Sequence, residues 1–130
     1  MNQAMNHKMV FTVQSILFFL AGLVTLVVPR QFMAEFGLTL ETGGVGLARL
    51  YGVTVIMVGL ITWVARPAGP STARRAIVLG LFAGNVLAAL VGIFNALAGG
   101  FGSIIWISVI IWLLLALDFG VLYFKHADVS

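Results

Sequence analysis

Two charged side chains, Arg49 and Asp118, interrupt apolar runs that are long enough to cross a bilayer. An ionisable residue inside a membrane is costly, so each is a candidate for proton transfer or ligand binding. A helical rise of about 1.5 Å per residue places Arg49 roughly 9 Å to one side of its span's centre and Asp118 roughly 7 Å to the other side of its own. Because about 16 Å then separates them along the membrane normal, we expect no direct ion pair.

Three amide side chains lie within the same apolar runs and are the other polar candidates. Gln14 lies at the depth of Asp118, Asn95 lies near the depth of Arg49, and Asn85 lies almost at the midplane. These depths give two polar layers, an inner one with Gln14 and Asp118 and an outer one with Arg49 and Asn95. One interpretation makes these layers proton or ligand sites. The other makes them interhelical hydrogen bonds, typically worth about 0.6 kcal/mol each in membranes, with Arg49 extending to the headgroups.

The sequence offers no complete set of catalytic groups. There is no cysteine, which excludes disulfides, thiol nucleophiles and thiolate metal sites. The two histidines, His7 and His126, fall outside the predicted spans, so neither can activate a hydroxyl there or hold an intramembrane haem. We therefore predict a protein that is not an enzyme, with no cofactor and no metal site.

The amino-acid composition indicates what surrounds this protein. Of its 130 residues, 62% are hydrophobic and 8% are charged, whereas soluble domains average about 25% charged residues. Lipid must cover most of the surface. The net charge of +3 comes from basic residues spread mostly at span ends, which predicts contact with membrane lipids and no binding of nucleic acid.

Four spans account for nearly the whole chain, which we take as one transmembrane domain, residues 1–130. Their predicted limits are about 9–28, 45–65, 75–97 and 103–124. The first run is longer than the core of a signal peptide, so we expect it to be retained. Only helices and closed barrels satisfy the backbone in lipid, and the alternation of a barrel is absent. The expected fold is all-α, an antiparallel four-helix bundle.

The connection at residues 29–40 carries its own apolar pattern. Pro29 suits a first helical turn, and Phe32, Met33 and Phe36 share one face. Either a short interfacial helix or a packed loop fits this pattern.

Basic residues predict the orientation. The side that holds both termini and the second loop carries five of them, and the opposite side carries Arg30 and Arg49. The positive-inside rule then places both termini in the cytoplasm of a multi-pass cell-membrane protein. The five are Lys8, Arg66, Arg74, Arg75 and Lys125.

A stripe of small residues follows the third span at every fourth position. Such a stripe lets two helix backbones approach closely, within the bundle or against another subunit, and we favour the internal use. Trp112, near a span midplane, is expected to pack or to face lipid or a partner. The stripe consists of Gly80, Gly84, Ala88, Gly92 and Ala96.

Four short stretches resemble the DoxX-like family of small four-helix membrane proteins. Residues 48–52 (ARLYG) and 59–66 (GLITWVAR) look like the second span of these proteins. Residues 28–33 (VPRQFM) with 36–38 (FGL) are similar to their first connection, and the layout agrees over about residues 10–125. The resemblance implies a four-helix membrane bundle, with redox complexes or assembly factors among the relatives. Some of these relatives are associated with thiol redox complexes, and this chain differs from them because it has no cysteine.

These observations predict a non-enzymatic accessory subunit or assembly factor of a larger membrane complex. Its partners would be membrane lipids together with other membrane subunits or further copies of itself. Two alternatives remain open: a small four-span transporter that uses Asp118, and a binder of a hydrophobic small molecule such as a quinone or lipid.

Overall fold

Four long helices and one short helix make up the described part of the chain. The computed structural model describes the backbone of residues 3–125 and the side chains of residues 7–125. Each long helix is long and apolar enough to cross a membrane, so the predicted all-α architecture with four spans is confirmed. The helices are α1 (Gln3–Val27), α2 (Pro29–Glu35), α3 (Thr42–Ala65), α4 (Thr72–Ala98) and α5 (Ile105–Lys125).

Local sequence explains where the helices begin and end. Pro29 opens α2, where its missing N–H costs nothing. The helix ends before Gly37, whose φ of 77° is in the left-handed region. Ser71 caps α4 by accepting the backbone N–H of Arg74. Gly99, with φ 84°, follows the last turn of α4. The short helix between the first two spans is thus confirmed over Pro29–Glu35, shorter than the predicted segment.

The long helices form two tightly packed antiparallel pairs. In the first pair, α1 packs on α3, and a Cβ added to Gly22 would lie 2.8 Å from the carbonyl oxygen of Gly52. In the second pair, α4 packs on α5, and a Cβ added to Gly92 would lie 2.8 Å from the Trp112 ring. Glycine is therefore required at both crossings, because a side chain there would separate the helices.

One end of the bundle is closed and holds the hydrophobic core. We call it the terminal end, since α1 begins and α5 ends there. Side chains of α1, α4 and α5 interlock at this end, and the rings of Phe11 and Phe119 lie 5.7 Å apart. The buried cluster consists of Phe11, Val78, Leu115, Phe119 and Leu122.

The opposite end, called the α2 end, carries α2 and the turn between α4 and α5. Among the described residues, α1 also contacts α5, whereas α3 and α4 scarcely approach each other although they are consecutive in the chain. The two helix pairs are thus joined mainly along α1 and α5, and α3 and α4 do not pack closely on each other.

Candidate binding cavity

A cavity of about 580 Å³ lies between the two helix pairs towards the α2 end. Its size is within the range of about 300–1,000 Å³ that is usual for small-molecule sites. All five helices contribute to its wall. The lining residues are Leu17, Phe18, Ala21, Thr25, Phe32, Met33, Phe36, Tyr51, Val55, Leu87, Ala88, Val91, Gly92, Asn95, Phe101, Ile105, Ser108, Ile111 and Trp112.

Helical spacing turns one face of each long helix towards this space. On α4, Ala88, Gly92 and Asn95 recur every three or four residues, and on α5 Ser108 and Trp112 are four apart. Residues at these separations share a helix face. Because Gly92 has no side chain, the Trp112 ring can lie directly against the α4 backbone and still line the cavity.

The short helix α2 contributes part of the cavity wall at this end. Phe32, Met33 and Phe36 share one face, as the sequence predicts, and this face lines the cavity. The backbone N–H of Gly102 donates a hydrogen bond of 2.7 Å to the carbonyl oxygen of Phe36. This bond fastens α2 to the turn that precedes α5.

Four polar side chains line the cavity, and none of the described lining residues is charged. Thr25 donates its hydroxyl to the carbonyl oxygen of Ala21 at 2.6 Å. The side chains of Tyr51, Asn95 and Ser108 make no hydrogen bond to any described residue. A largely apolar space with a few polar groups is the usual make-up of a site for a lipophilic ligand.

The structure brings Gln14 together with Asn85. Both side chains are buried, and the Asn85 amide donates to Gln14 Oε1 at 3.4 Å and to the Leu81 carbonyl oxygen at 2.8 Å. The Gln14 Nε2 atom is buried without a hydrogen-bond partner. This pair lies one helical turn from the cavity residues Leu17 and Ala88.

The two charged candidates face outward. Arg49 and Asp118 are exposed, and neither lines the cavity. Arg49 makes no hydrogen bond or ion pair with the described residues. The structure therefore does not bring Arg49 to Asn95 or Asp118 to Gln14, although each pair has a similar predicted depth. The physical reason is rotation about the helix axis, because similar depth does not make two side chains face each other.

The small-residue stripe on α4 divides into two parts. Gly80 and Gly84 are exposed, with open space where a Cβ would be. Further along, Ala88 lines the cavity, Gly92 contacts α5, and Ala96 is half-buried. The internal packing that we favoured for the stripe is thus present at Gly92 and absent at the first two glycines.

Sequence reasoning did not identify the contact between α1 and α3. A Cβ on Gly22 would meet Gly52, and a Cβ on Gly59 would lie 3.3 Å from the Ser15 carbonyl oxygen. A signal was present, because Ser15 and Gly22 are seven residues apart, as are Gly52 and Gly59. Small residues at equal spacings on two helices let the backbones approach closely at both positions.

His7 lies inside α1 and is buried, its ring 6.2 Å from Phe11 in an edge-on arrangement. The helix therefore begins before the predicted first span, which starts at about residue 9, and the position of His7 relative to the membrane stays a prediction. His126 lies outside the described residues. Within residues 3–125, no group of three or more possible metal ligands is found.

No family model, curated protein or solved structure matches this chain. The four spans that the resemblance to DoxX-like proteins implies are present, and no family is identified. The class that the fold defines is that of a small, multi-pass, helical membrane protein.

Proposed function

We propose that this chain is a non-enzymatic membrane protein that holds a hydrophobic small molecule, of the lipid or quinone type, in the cavity between its two helix pairs. The observation that carries the proposal is the cavity itself, about 580 Å³ and lined by five helices. Apolar residues provide most of its wall, which suits a ligand that partitions into the bilayer.

The proposal is tested by filling the cavity. Ala88 lines it, so Ala88→Phe should displace the ligand. Ala83, on the exposed side of α4, provides the matched control, Ala83→Phe. Native mass spectrometry of protein purified in mild detergent should show a bound small molecule in the wild type and in Ala83→Phe.

Ala88→Phe should lose that bound mass while it keeps its helical circular dichroism. Equal retention of the molecule by both variants, or no bound molecule in any of the three proteins, would contradict cavity binding.

A second candidate is an accessory subunit or assembly factor, and the exposed glycines of α4 favour it. Gly80 and Gly84 form a small-xxx-small motif with open space beside it, which suits close approach by a helix of another subunit or of a second copy. This role is compatible with ligand binding, because neither glycine lines the cavity and both lie nearer the terminal end of α4 than its cavity residues.

Crosslinking in native membranes tests this second candidate. The double variant Gly80→Leu/Gly84→Leu should lose any crosslinked partner or dimer, and Ala83→Leu serves as the control on the same helix. A crosslinking pattern that is identical in all three proteins would exclude this face as the interface.

Transport through Asp118 has less support. A membrane-embedded carboxylate that carries a coupled proton should face the substrate path, and Asp118 is exposed outside the cavity. The DoxX-like resemblance agrees with the four-span layout and gives no reason to prefer transport.

A further inference from the structure

The geometry points to an uncharged amphiphile as the ligand, with a hydroxyl or ester head bound by Asn95 and Ser108 and with its apolar chain deeper in the cavity. This inference rests on the proposed function. It adds the chemical class of the ligand, its orientation and its route of entry.

Asn95 and Ser108, like the cavity-lining Tyr51, make no side-chain hydrogen bond to any described residue. Other hydroxyls in the spans donate to the carbonyl oxygen four residues earlier: Thr12, Ser15, Thr25, Thr54 and Thr62. Ser108 lines the cavity and lacks this bond among the described residues, as do the Tyr51 hydroxyl and the Asn95 amide. Polar groups without a partner are costly in lipid, so a ligand that supplies the missing hydrogen bonds is stabilised there.

The cavity wall also restricts the charge of the ligand head. The hydroxyl and amide groups of these side chains both donate and accept hydrogen bonds, which suits a ligand whose head is a hydroxyl or an ester. The described cavity wall offers no cation for a phosphate or carboxylate and no anion for an amine. Because a desolvated charge needs a partner, the cavity should reject charged heads.

The positions of Asn95 and Ser108 along the bundle set the orientation of the ligand. Asn95 lies one turn before the end of α4, and Ser108 lies one turn after the start of α5. Both are therefore near the α2 end, whereas Leu17 and Ile111 line the cavity nearer the terminal end. A head near α2 places the apolar chain against these deeper residues.

The entry route follows from the helix arrangement. The bond between Gly102 and Phe36 fastens α2 at its own end of the bundle, and the core cluster closes the terminal end. The sparse contact between α3 and α4 makes the side between these helices the least closed one. A membrane-dissolved amphiphile therefore enters sideways between these two helices.

Photolabelling with three matched probes tests the inference on purified protein in nanodiscs. The probes are a monoacylglycerol with a diazirine in its acyl chain, the lysophosphatidic acid with the same chain, and a diazirine-bearing alkane. The labelled residues are mapped by mass spectrometry. The monoacylglycerol should label cavity residues of α4 and α5, whereas the lysophosphatidic acid should not.

The variant Asn95→Leu/Ser108→Ala should weaken monoacylglycerol labelling roughly tenfold, the loss expected for two hydrogen bonds. Its labelling by the alkane should stay unchanged, which shows that the cavity persists. Thr54→Ala is the control, because this hydroxyl is exposed and already bonded to Leu50.

Each of the other outcomes contradicts this inference or the proposed function. Equal labelling of the cavity by all three probes, or a preference for the lysophosphatidic acid, overturns the headgroup inference and leaves cavity binding intact. Labelling of the outer helix surfaces alone, by every probe, overturns the proposed function and this inference with it.

Discussion

The side chains of Asn85 and Gln14 differ in how fully they are hydrogen-bonded. Asn85 bonds both to Gln14 and to the backbone of its own helix, whereas the Gln14 Nε2 atom has no partner. Removing Gln14 therefore eliminates an unsatisfied group, and removing Asn85 creates another one.

Gln14→Leu should change the free energy of unfolding by less than about 1 kcal/mol, because the lost interhelical bond is weak. Asn85→Leu should cost about 1–3 kcal/mol, because it leaves both ends of the buried Gln14 amide without a partner. The double variant should recover most of that loss. Unfolding titrations in detergent measure all three, and a Gln14→Leu loss that equals or exceeds that of Asn85→Leu would show that Gln14 is fully satisfied.

At the scale of the helices, close crossing at glycine joins α1 to α3. A Cβ on Gly22 would lie 2.7 Å from the Ile56 side chain and 2.8 Å from the Gly52 carbonyl oxygen, and the backbone oxygen cannot move aside readily. Gly22→Leu should therefore destabilise the bundle by about 1–3 kcal/mol, as overpacking does.

Gly84→Leu is the matched control, because open space surrounds this position. Its free energy of unfolding in detergent should differ from that of the wild type by less than about 0.5 kcal/mol. Equal losses in the two variants would mean that α1 and α3 are not held together at Gly22.

The helices themselves were predictable, because long apolar runs bounded by Pro29, Ser71 and Gly99 leave few alternatives. The pairing of the helices was harder to predict from the sequence. Many small residues are distributed over three spans, and rotation about each helix axis decides which of them meet. The contacts of the polar residues were not predictable for the same reason, since depth along a helix says nothing about which way a side chain faces.

The cavity was not predictable from composition. Its residues are ordinary apolar side chains distributed over five helices and the turn before α5, and each also fits a packed core or a lipid-facing surface. Only Phe32, Met33 and Phe36 gave a local signal, as the apolar face of the short helix. The space exists because α3 and α4 do not pack closely on each other, a property of the whole arrangement.

For the whole molecule, the orientation in the membrane remains a prediction that rests on five basic residues at one end against two at the other. The absence of native cysteine makes single-cysteine labelling direct. In intact cells, an impermeant maleimide should label Thr39→Cys in the first loop and should reach Gly69→Cys in the second only after permeabilisation. The reverse pattern would place both termini outside.

The most direct test of cavity binding is an experimental structure of the purified protein in lipid nanodiscs. We expect elongated non-protein density between α3 and α4, with its polar end near Asn95 and Ser108 and its chain against Ile111. A structure in which α3 packs directly on α4, leaving no space between the two helix pairs, would contradict the account.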